Sequence, residues 1–283
     1  MLLYNRVVQI AVGKPREEAL AVSELRCTFN IRKTSDSKEN TVSATVFNLN
    51  PSTRALFETN GNRLVISAGY AEAGPQLLAI GDILSASTDF TNPEFVTSIE
   101  AADAGKTLRT ARASVSYKAG TPARTMVQEL VDTLDIDIPE FPVQLTDTFK
   151  TGWSFVGKAR DGLDQLARRF NFDWSVQNNT LQITERREPS QRQAVYLSAE
   201  TGMIGSPAPI QDTRKDDENA KTPEPPGIRV TSLLNPAIIP GDPIVVKSLY
   251  RGEQTYRVKE VTHTGDTHGQ DWFTMAECLE ISK

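Results

Sequence analysis

The residues best suited to chemistry are the two histidines of the chain, His263 and His268, with Asp266 between them. Imidazole and carboxylate groups this close together are typical metal ligands. A zinc site, however, requires three or four ligands in a fixed geometry, and this stretch offers no cysteine or glutamate at a matching spacing. We therefore interpret it as a polar turn, and we predict no metal site and no cofactor.

A second group is acidic and comprises Asp132, Asp135, Asp137 and Glu140. A glycoside hydrolase needs two carboxyl groups, one acting as an acid and one as a base or nucleophile. These four residues flank the predicted end of a helix and a proline-containing connector, where solvated carboxylates are ordinary. The sequence also lacks a Gly-x-Ser-x-Gly elbow, a phosphate-binding loop, a dinucleotide fingerprint and a His-Glu-x-x-His motif. We predict no catalytic residue.

Composition indicates an ordinary globular protein. The 283 residues, 39% hydrophobic and 24% charged, suffice for two or three domains. The net charge of -5 argues against a general nucleic-acid binder, because phosphate binding requires clustered lysine and arginine. The basic pairs at 168–169 and 186–187 lack interleaved aromatics and predict surface charge. We expect a soluble protein made in a cytoplasm, since no apolar run approaches about 20 residues and the N-terminus lacks a signal-peptide pattern.

The elements that must position any site are mainly strands. Alternating apolar and polar residues at 25–32 and 42–48 have the period of a strand with one buried face. Further strands are predicted at 63–68, 76–88 and 95–102. A short helix is predicted at 52–58, with Ser52 as its cap and both Leu56 and Phe57 turned inward.

One ordered set of residues occurs twice in the chain. Both copies contain a Leu-Asn-Pro turn, a glycine, an apolar run that ends in serine, and a tyrosine: Leu49-Asn50-Pro51, Gly61, 64–67 and Tyr70 in the first, and Leu234-Asn235-Pro236, Gly241, 244–248 and Tyr250 in the second. The spacing differs between the copies, so duplication of one β domain and chance similarity between two β domains both explain it. We predict duplication.

The middle of the chain predicts a small α+β insert. Thr121-Pro122 is typical of a helix start, and apolar residues at 127, 130, 131 and 134 indicate an amphipathic helix. A second helix is predicted at 159–170. It leads into a hairpin whose turn is Asn178-Asn179.

The last third predicts strands at 228–234, 244–248, 255–263 and 272–281, separated by turn residues. Alternation in the third of these places Tyr256 and Val258 on one face and Val261 near the other. The loop 211–227 is rich in charge and proline, which predicts mobility. It is either a solvated surface loop or a segment that orders against a partner. Cys27 and Cys278 are predicted to be buried thiols rather than a disulfide.

A contact surface is predicted where glycines alternate with apolar residues that look exposed. Its candidate residues are Gly202, Met203, Ile204, Gly205 and Pro207. Glycine makes the backbone flexible, and exposed apolar side chains mark contacts between proteins. We predict that this stretch lies at a contact with another subunit or a partner.

The most specific sequence is the last third, in the ordered strings GMIGSPAP (202–209), LLNPAIIPGDPIVVKS (233–248) and YRVKEVTHTGDTHGQDWFTMAE (256–277). This order resembles the baseplate hub proteins of contractile-tailed bacteriophages. The resemblance implies a mainly β structural protein, in which tail-tube-like β-barrels at 1–108 and 191–283 flank an α+β insert at 109–190.

The resemblance further implies a homotrimer in the tail of the virion, which adapts a sixfold tail tube to a threefold central spike and lets DNA pass without binding it. The expected partners are the tail tube protein, the central spike protein and other baseplate proteins, and no membrane is expected. An enzyme, a tail-associated peptidoglycan hydrolase, is the alternative. A carbohydrate-binding module is a third reading. It would require exposed aromatic platforms, whereas Trp153, Trp174 and Trp272 are predicted to be core.

Overall fold

A computed structural model describes residues 5–15, 17–59, 61–91, 93–134, 136–137, 145, 147–210, 225–249 and 252–281. Most of the loop 211–227, and with it the prediction that this loop is mobile, lies outside the described residues. So do Asp135, Glu140 and Tyr250.

The N-terminal third is built of strands and one helix. In order, these are β1 (Arg6–Gly13), β2 (Leu20–Val22), β3 (Cys27–Thr34), β4 (Thr41–Phe47), α1 (Pro51–Glu58), β5 (Arg63–Tyr70), β6 (Gly74–Thr91) and β7 (Glu94–Ala102).

The middle third carries the other helices. Its elements are α2 (Gly105–Thr110), β8 (Arg112–Tyr117), α3 (Ala123–Asp132), β9 (Trp153–Lys158), α4 (Ala159–Phe170), β10 (Phe172–Gln177) and β11 (Thr180–Glu185).

The last third returns to strands, with one short 3-10 helix at Ala199–Thr201. The strands are β12 (Val195–Leu197), β13 (Met203–Ile210), β14 (Gly227–Leu233), β15 (Pro243–Ser248), β16 (Gly252–Asp266) and β17 (Trp272–Glu280). The prediction of a mainly β protein is confirmed, and the helices other than α1 and the 3-10 helix lie in its middle third.

Thirteen strands form one sheet that runs through both ends of the chain. Their order is β13-β14-β17-β16-β3-β4-β7-β6-β5-β1-β2, with β15 paired to β16 and β12 to β15. Among the described strands this path is open, so the pairing closes neither half into the separate barrel that we expected. The reason is the length of β16, which pairs with β15 through its first residues and with β3 through its last.

The sheet has one buried face and one open face. Along β3, Cys27, Phe29 and Ile31 are at most 3% exposed, while the residues between them are more accessible. Two apolar cores lie under this buried face, one in each half of the chain. Burial of each large aliphatic side chain contributes about 1.5–3 kcal/mol, which fixes the register of the strands because a slip of one residue would expose the whole set.

The insert has an apolar core of its own, formed mainly by α3, α4 and the hairpin β10-β11. Helix α4 has the predicted bounds, and the apolar positions predicted for α3 are all buried. The hairpin also has its predicted turn, in which Asn178 and Asn179 both adopt positive φ. The ribbon formed by β8 and β9 was not predicted.

Three local predictions were wrong. Helix α1 is capped by Asn50, whose side chain accepts a hydrogen bond from the Thr53 N–H at 2.8 Å, and not by Ser52. Phe57 of this helix is fully buried, but Leu56 is 36% exposed. In β16 a bulge between Val258 and Glu260 shifts the alternation, so Val261 joins the buried face with Val258 instead of opposing it.

Cys27 and Cys278 are both free and buried, as predicted. Burial, assisted by the nearby Asp266 carboxylate, raises the pKa of Cys27 to about 12. Such a thiol is unreactive at neutral pH.

In the part of the chain that is described, no helix is both long and apolar enough to cross a membrane.

Candidate assembly surface

The two β-rich halves of the chain repeat one pattern of strand pairing. In the first half, antiparallel pairs join β4 to β7, β7 to β6 and β6 to β5. In the second half, antiparallel pairs join β14 to β17, β17 to β16 and β16 to β15. The two halves therefore share one strand order, as a duplication would produce.

The repeat extends to its irregularities. A bulge interrupts β6 between Ile83 and Ser85 at the position where β16 is interrupted. The N–H of Ile83 donates to the carbonyl of Asn62 at 3.0 Å, and the N–H of Val258 donates to that of Asp242 at 2.9 Å. A bulge and its supporting bond at matched positions are not expected of two unrelated β domains.

Glycines and a cross-strand contact repeat as well. Gly61 and Gly241, one residue before these carbonyls, have φ values of 90° and 87°. Past each bulge, a side-chain contact links the bulged strand to its neighbour. The hydroxyls of Thr88 and Thr97 lie 3.0 Å apart in the first half, and His263 Nδ1 lies 2.9 Å from the Thr274 hydroxyl in the second. These matches give a residue-by-residue equivalence of the two halves.

The two halves meet where residues 260–266 of β16 pair with β3. On the buried face of this internal junction, the ring of Phe29 occupies the space above Gly265, so no Cβ could be accommodated there. The Phe29 ring reaches across to Trp272, at 5.7 Å between centroids, and Trp272 is only 3% exposed. The junction is thus closely packed.

The strands equivalent to β3 and β16 of this junction are β13 and β6, and both have a free edge. Within the described residues, β13 pairs with β14 alone, and β6 beyond its bulge pairs with β7 alone. Large apolar side chains are exposed along or beside these edges: Leu84 at 41%, Phe90 at 61%, Phe95 at 39% and Ile204 at 47%. Leu249, directly after β15, is 97% exposed. We define the outer edge of β13, residues 84–91 of β6 and Leu249 as the edge surface.

The predicted contact residues lie on β13 or directly before it. Gly202 and Gly205 adopt positive φ, at 103° and 71°, and Ile204 is exposed. Met203 instead packs partly against the core of the C-terminal half. Sequence reasoning missed Phe90, Phe95 and Leu249. An apolar residue at the start of an alternating strand, such as Phe95, predicts core, and Phe90 and Leu249 lie just beyond the ends of the strands predicted at 76–88 and 244–248.

The residues considered for chemistry do not converge. His263 is buried, whereas His268 is exposed and contacts the Thr267 hydroxyl. Asp132 accepts a hydrogen bond from Gln128 on the surface of α3, and Asp137 forms an isolated bridge with Thr180. No group of three or more His, Cys, Asp or Glu residues that could hold a metal ion occurs among the residues with described positions.

The open face of the sheet is polar, and three arginines on it are paired with carboxylates. Arg32 contacts Glu260 at 2.6 Å, Arg229 contacts Glu277 at 2.6 Å, and Arg26 lies 3.6 Å from Asp266. Serine and threonine side chains occupy much of the remaining face, for example on β4, β6 and β7. Around these three pairs the face therefore presents hydroxyls and paired charges.

A buried polar network attaches the insert to the sheet. Lys33 is 3% exposed, and its Nζ donates to the side-chain oxygen of Asn178 at 2.7 Å. The Asp103 carboxylate accepts the backbone N–H groups of Asn178 and Asn179 at 2.5 and 2.7 Å. Burial lowers the pKa of Lys33 to about 8 and raises the pKa of Asp103. The hairpin turn is thus fixed by hydrogen bonds that satisfy each buried charge.

Solved structures share this fold. The 43 kDa tail protein of prophage MuSo2 from Shewanella oneidensis matches with a TM-score of 0.68 at 8% identity, covering 96% of each chain. The tail protein from Neisseria meningitidis MC58 matches at 0.64 and 10% identity, covering 98% of this chain and 97% of that one. The E. coli c3393 protein, a type VI secretion component with structural similarity to T4 tail proteins gp27 and gp5, matches at 0.61 and 11%, covering 97% and 77%.

The fold is therefore that of phage tail proteins. No curated protein matches the sequence. Residues 7–251 match the family described as Baseplate hub gp41, so the chain belongs to this family of structural tail proteins.

Acid sensitivity of the internal junction is a first prediction. Burial, assisted by Lys33, lowers the pKa of His263 from 6.5 to about 3. Between these values the unfolded chain binds a proton that the folded chain does not, so stability falls as the pH falls from 6.5 towards 3, by up to about 1.4 kcal/mol per pH unit. We expect His263→Gln to lose less stability than the parent between pH 7 and pH 4 in urea unfolding. The carboxylates titrate in both proteins, so equal losses would contradict this assignment.

Proposed function

We propose that the chain is the central hub of a phage tail baseplate, acting as a homotrimer between a sixfold tail tube and a threefold spike. The observation that carries this proposal is the repeated β unit. Three chains with two units each present six similar units in a ring, which suits a sixfold partner on one side. Because the two units of each chain differ in their side chains, the exact symmetry of the ring is threefold. This symmetry suits the central spike.

In this proposal each part of the chain has a separate role. The segments 1–108 and 191–283 supply the two ring units, and 109–190 supplies an outer module. The ring contacts the tail tube protein, the central spike protein and other baseplate proteins, and it takes its place in the tail of the virion. The function is carried by surfaces, and no catalytic group is assigned.

We further propose that the open face of the sheet lines the channel through which DNA passes. Its support is the pairing of Arg26, Arg32 and Arg229 with carboxylates, since an arginine that is already paired has little left to offer a phosphate. A channel lined by hydroxyls and paired charges lets the DNA backbone slide without holding it.

The native mass of the purified chain tests the trimer. We expect a trimeric mass and, in averaged electron micrographs, six lobes around a pore. A homogeneous dimer or tetramer would contradict the proposal. Clearing of a cell-wall suspension by the purified chain would support the hydrolase alternative instead.

A matched pair of variants tests whether the edge surface takes part in assembly. Ile204→Asp places a charge on the free edge of β13, and we expect it to block assembly while leaving the folded monomer intact, because the side chain is 47% exposed. Val156→Asp, on the insert, alters a side chain that is 81% exposed and should leave the trimer unaffected. Native mass and circular dichroism measure the two effects, and unchanged assembly of Ile204→Asp would argue against a role for this edge.

The proposed channel lining predicts that removing two carboxylates creates DNA binding. Replacing Glu260 and Glu277 by glutamine leaves Arg32 and Arg229 unpaired, which uncovers six cations in a trimer. Because each new phosphate contact strengthens binding at low salt, we expect DNA affinity to rise about tenfold or more in a gel-shift assay at 50 mM salt, and to disappear at high salt. As a control, Glu100→Gln on the same face removes a carboxylate that accepts from Ser43 and frees no arginine. Equal DNA binding by both variants would refute the neutralising role.

A further inference from the structure

We propose that β13 of one protomer pairs antiparallel with residues 84–91 of β6 in the next protomer, in the register by which β3 pairs with β16 inside each chain. This inference rests on the proposed trimer and specifies how its subunits bind one another. The occupant of the edge surface is then a second copy of this chain.

The register follows from the repeat, beginning with the β6 side. Counted from the matched bulges, Ser85 is equivalent to Glu260, and Asp89 is therefore equivalent to Thr264. The cross-strand neighbours agree, because Asp89 pairs with Val96 in the same way as Thr264 pairs with Phe273.

The β13 side is fixed through β4 and β14. Their buried residues match in order, so Ser43 of β4 is equivalent to Arg229 of β14. Ser43 pairs with Asn30 of β3, and Arg229 pairs with Ala208 of β13. Ala208 is therefore the counterpart of Asn30.

The two results combine into one predicted contact. Within the chain, Asn30 pairs with Thr264, and the side-chain amide of Asn30 donates to the Thr264 hydroxyl at 3.2 Å. The corresponding contact between chains is Ala208 with Asp89. Both side chains are exposed and lie on the open face of the sheet.

Side-chain volumes support this pairing. At the internal junction the large residue, Phe29, is on β3 and the glycine, Gly265, is on β16. In the proposed junction the position of Gly265 is taken by Phe90, and the strand opposite has its irregularity between Ile204 and Ala208, with Gly205 inside it. The large side chain thus lies on β6 instead of on the opposite strand, and Pro207, counted from Ala208, faces it within the irregularity.

Exposure points to the same edges. Trp272 is covered at the internal junction, to 3% exposure, whereas its counterpart Phe95 is 39% exposed. Leu249 is 97% exposed, and its counterpart Gly69 lies across a cleft from the Leu234–Pro236 turn. The equivalence places Leu249 of one chain beside the Leu49–Pro51 turn of its neighbour.

The edge also restricts its partner. Pro207 and Pro209 carry no backbone N–H, so at these two positions β13 offers a neighbouring strand only acceptors. Such an edge is a poor template for an arbitrary strand. Binding then depends on the packing of Phe90 into the irregularity, which selects a second copy of this chain. The contact is heterologous, and three copies close a ring in which internal and intermolecular junctions alternate.

Disulfide trapping tests the register. In the double variant Asp89→Cys, Ala208→Cys, facing residues would have their Cβ atoms about 4.5–5.5 Å apart, close to what a disulfide requires. We expect mild oxidation to give a covalent trimer on a non-reducing gel. Ser87→Cys with Ile210→Cys, the next pair on the same face, provides a second trap should the first variant fold poorly.

Matched controls separate this inference from the trimer itself. Asn30→Cys with Thr264→Cys places the same pair at the internal junction and should oxidise without a change of mass. Ser85→Cys with Ala208→Cys is four residues out of register, about 13 Å away along the strand, and should not cross-link.

The outcomes distinguish the two proposals. If the parent is a trimer and the internal pair oxidises while neither intermolecular pair cross-links, the pairing is wrong and the hub proposal stands. If the parent is not a trimer by native mass, the hub proposal fails and the pairing fails with it. Cross-linking of the out-of-register pair at an equal rate would also overturn the assigned register.

Discussion

The antiparallel ladder between β16 and β3 is the interaction on which the rest of the structure depends. It joins strands from opposite ends of the chain, so neither β-rich half completes its sheet without the other. The core of the N-terminal half includes Leu234 and Trp272 from the C-terminal half. Breaking this ladder would expose the edges of both halves and open a core at the same time, so the two halves are expected to unfold together.

The matched bulges explain why the ladder exists in this form. A bulge bends a strand and increases its twist, which lets β16 leave β15 and continue along β3. Alternation in the sequence predicted the strands on either side of the bulge, but it placed Val261 on the wrong face. The bulge residues, Leu84 and Lys259, share no chemical character, so the sequence carries no signal for them. The repeat itself was detectable, because its turns require particular residues such as Gly61 and Gly241.

The edge surface was only half predictable, for a related reason. Gly202 and Gly205 have a conformational signature that shows in a sequence, and the stretch was singled out because they lie beside Met203 and Ile204. Phe90 and Phe95 look like core residues in any alternating strand. Whether Phe90 is buried depends on a second strand beside β6, and among the described residues β6 past its bulge pairs with β7 alone. The helices of the insert were predictable because their apolar periodicity is satisfied within the insert's own core.

Fusing two β units into one chain has a physical consequence for a ring. Every second junction then lies within one chain, so its register is set during folding. Only the remaining junctions form by association of separate chains. The fused copies are then free to diverge, and Phe90 at the position equivalent to Gly265 is such a divergence. With different volumes on their edges, an internal edge is a poor match for an external one. A ring that is sixfold in its backbone thereby keeps a threefold pattern in its side chains, which a threefold partner can recognise.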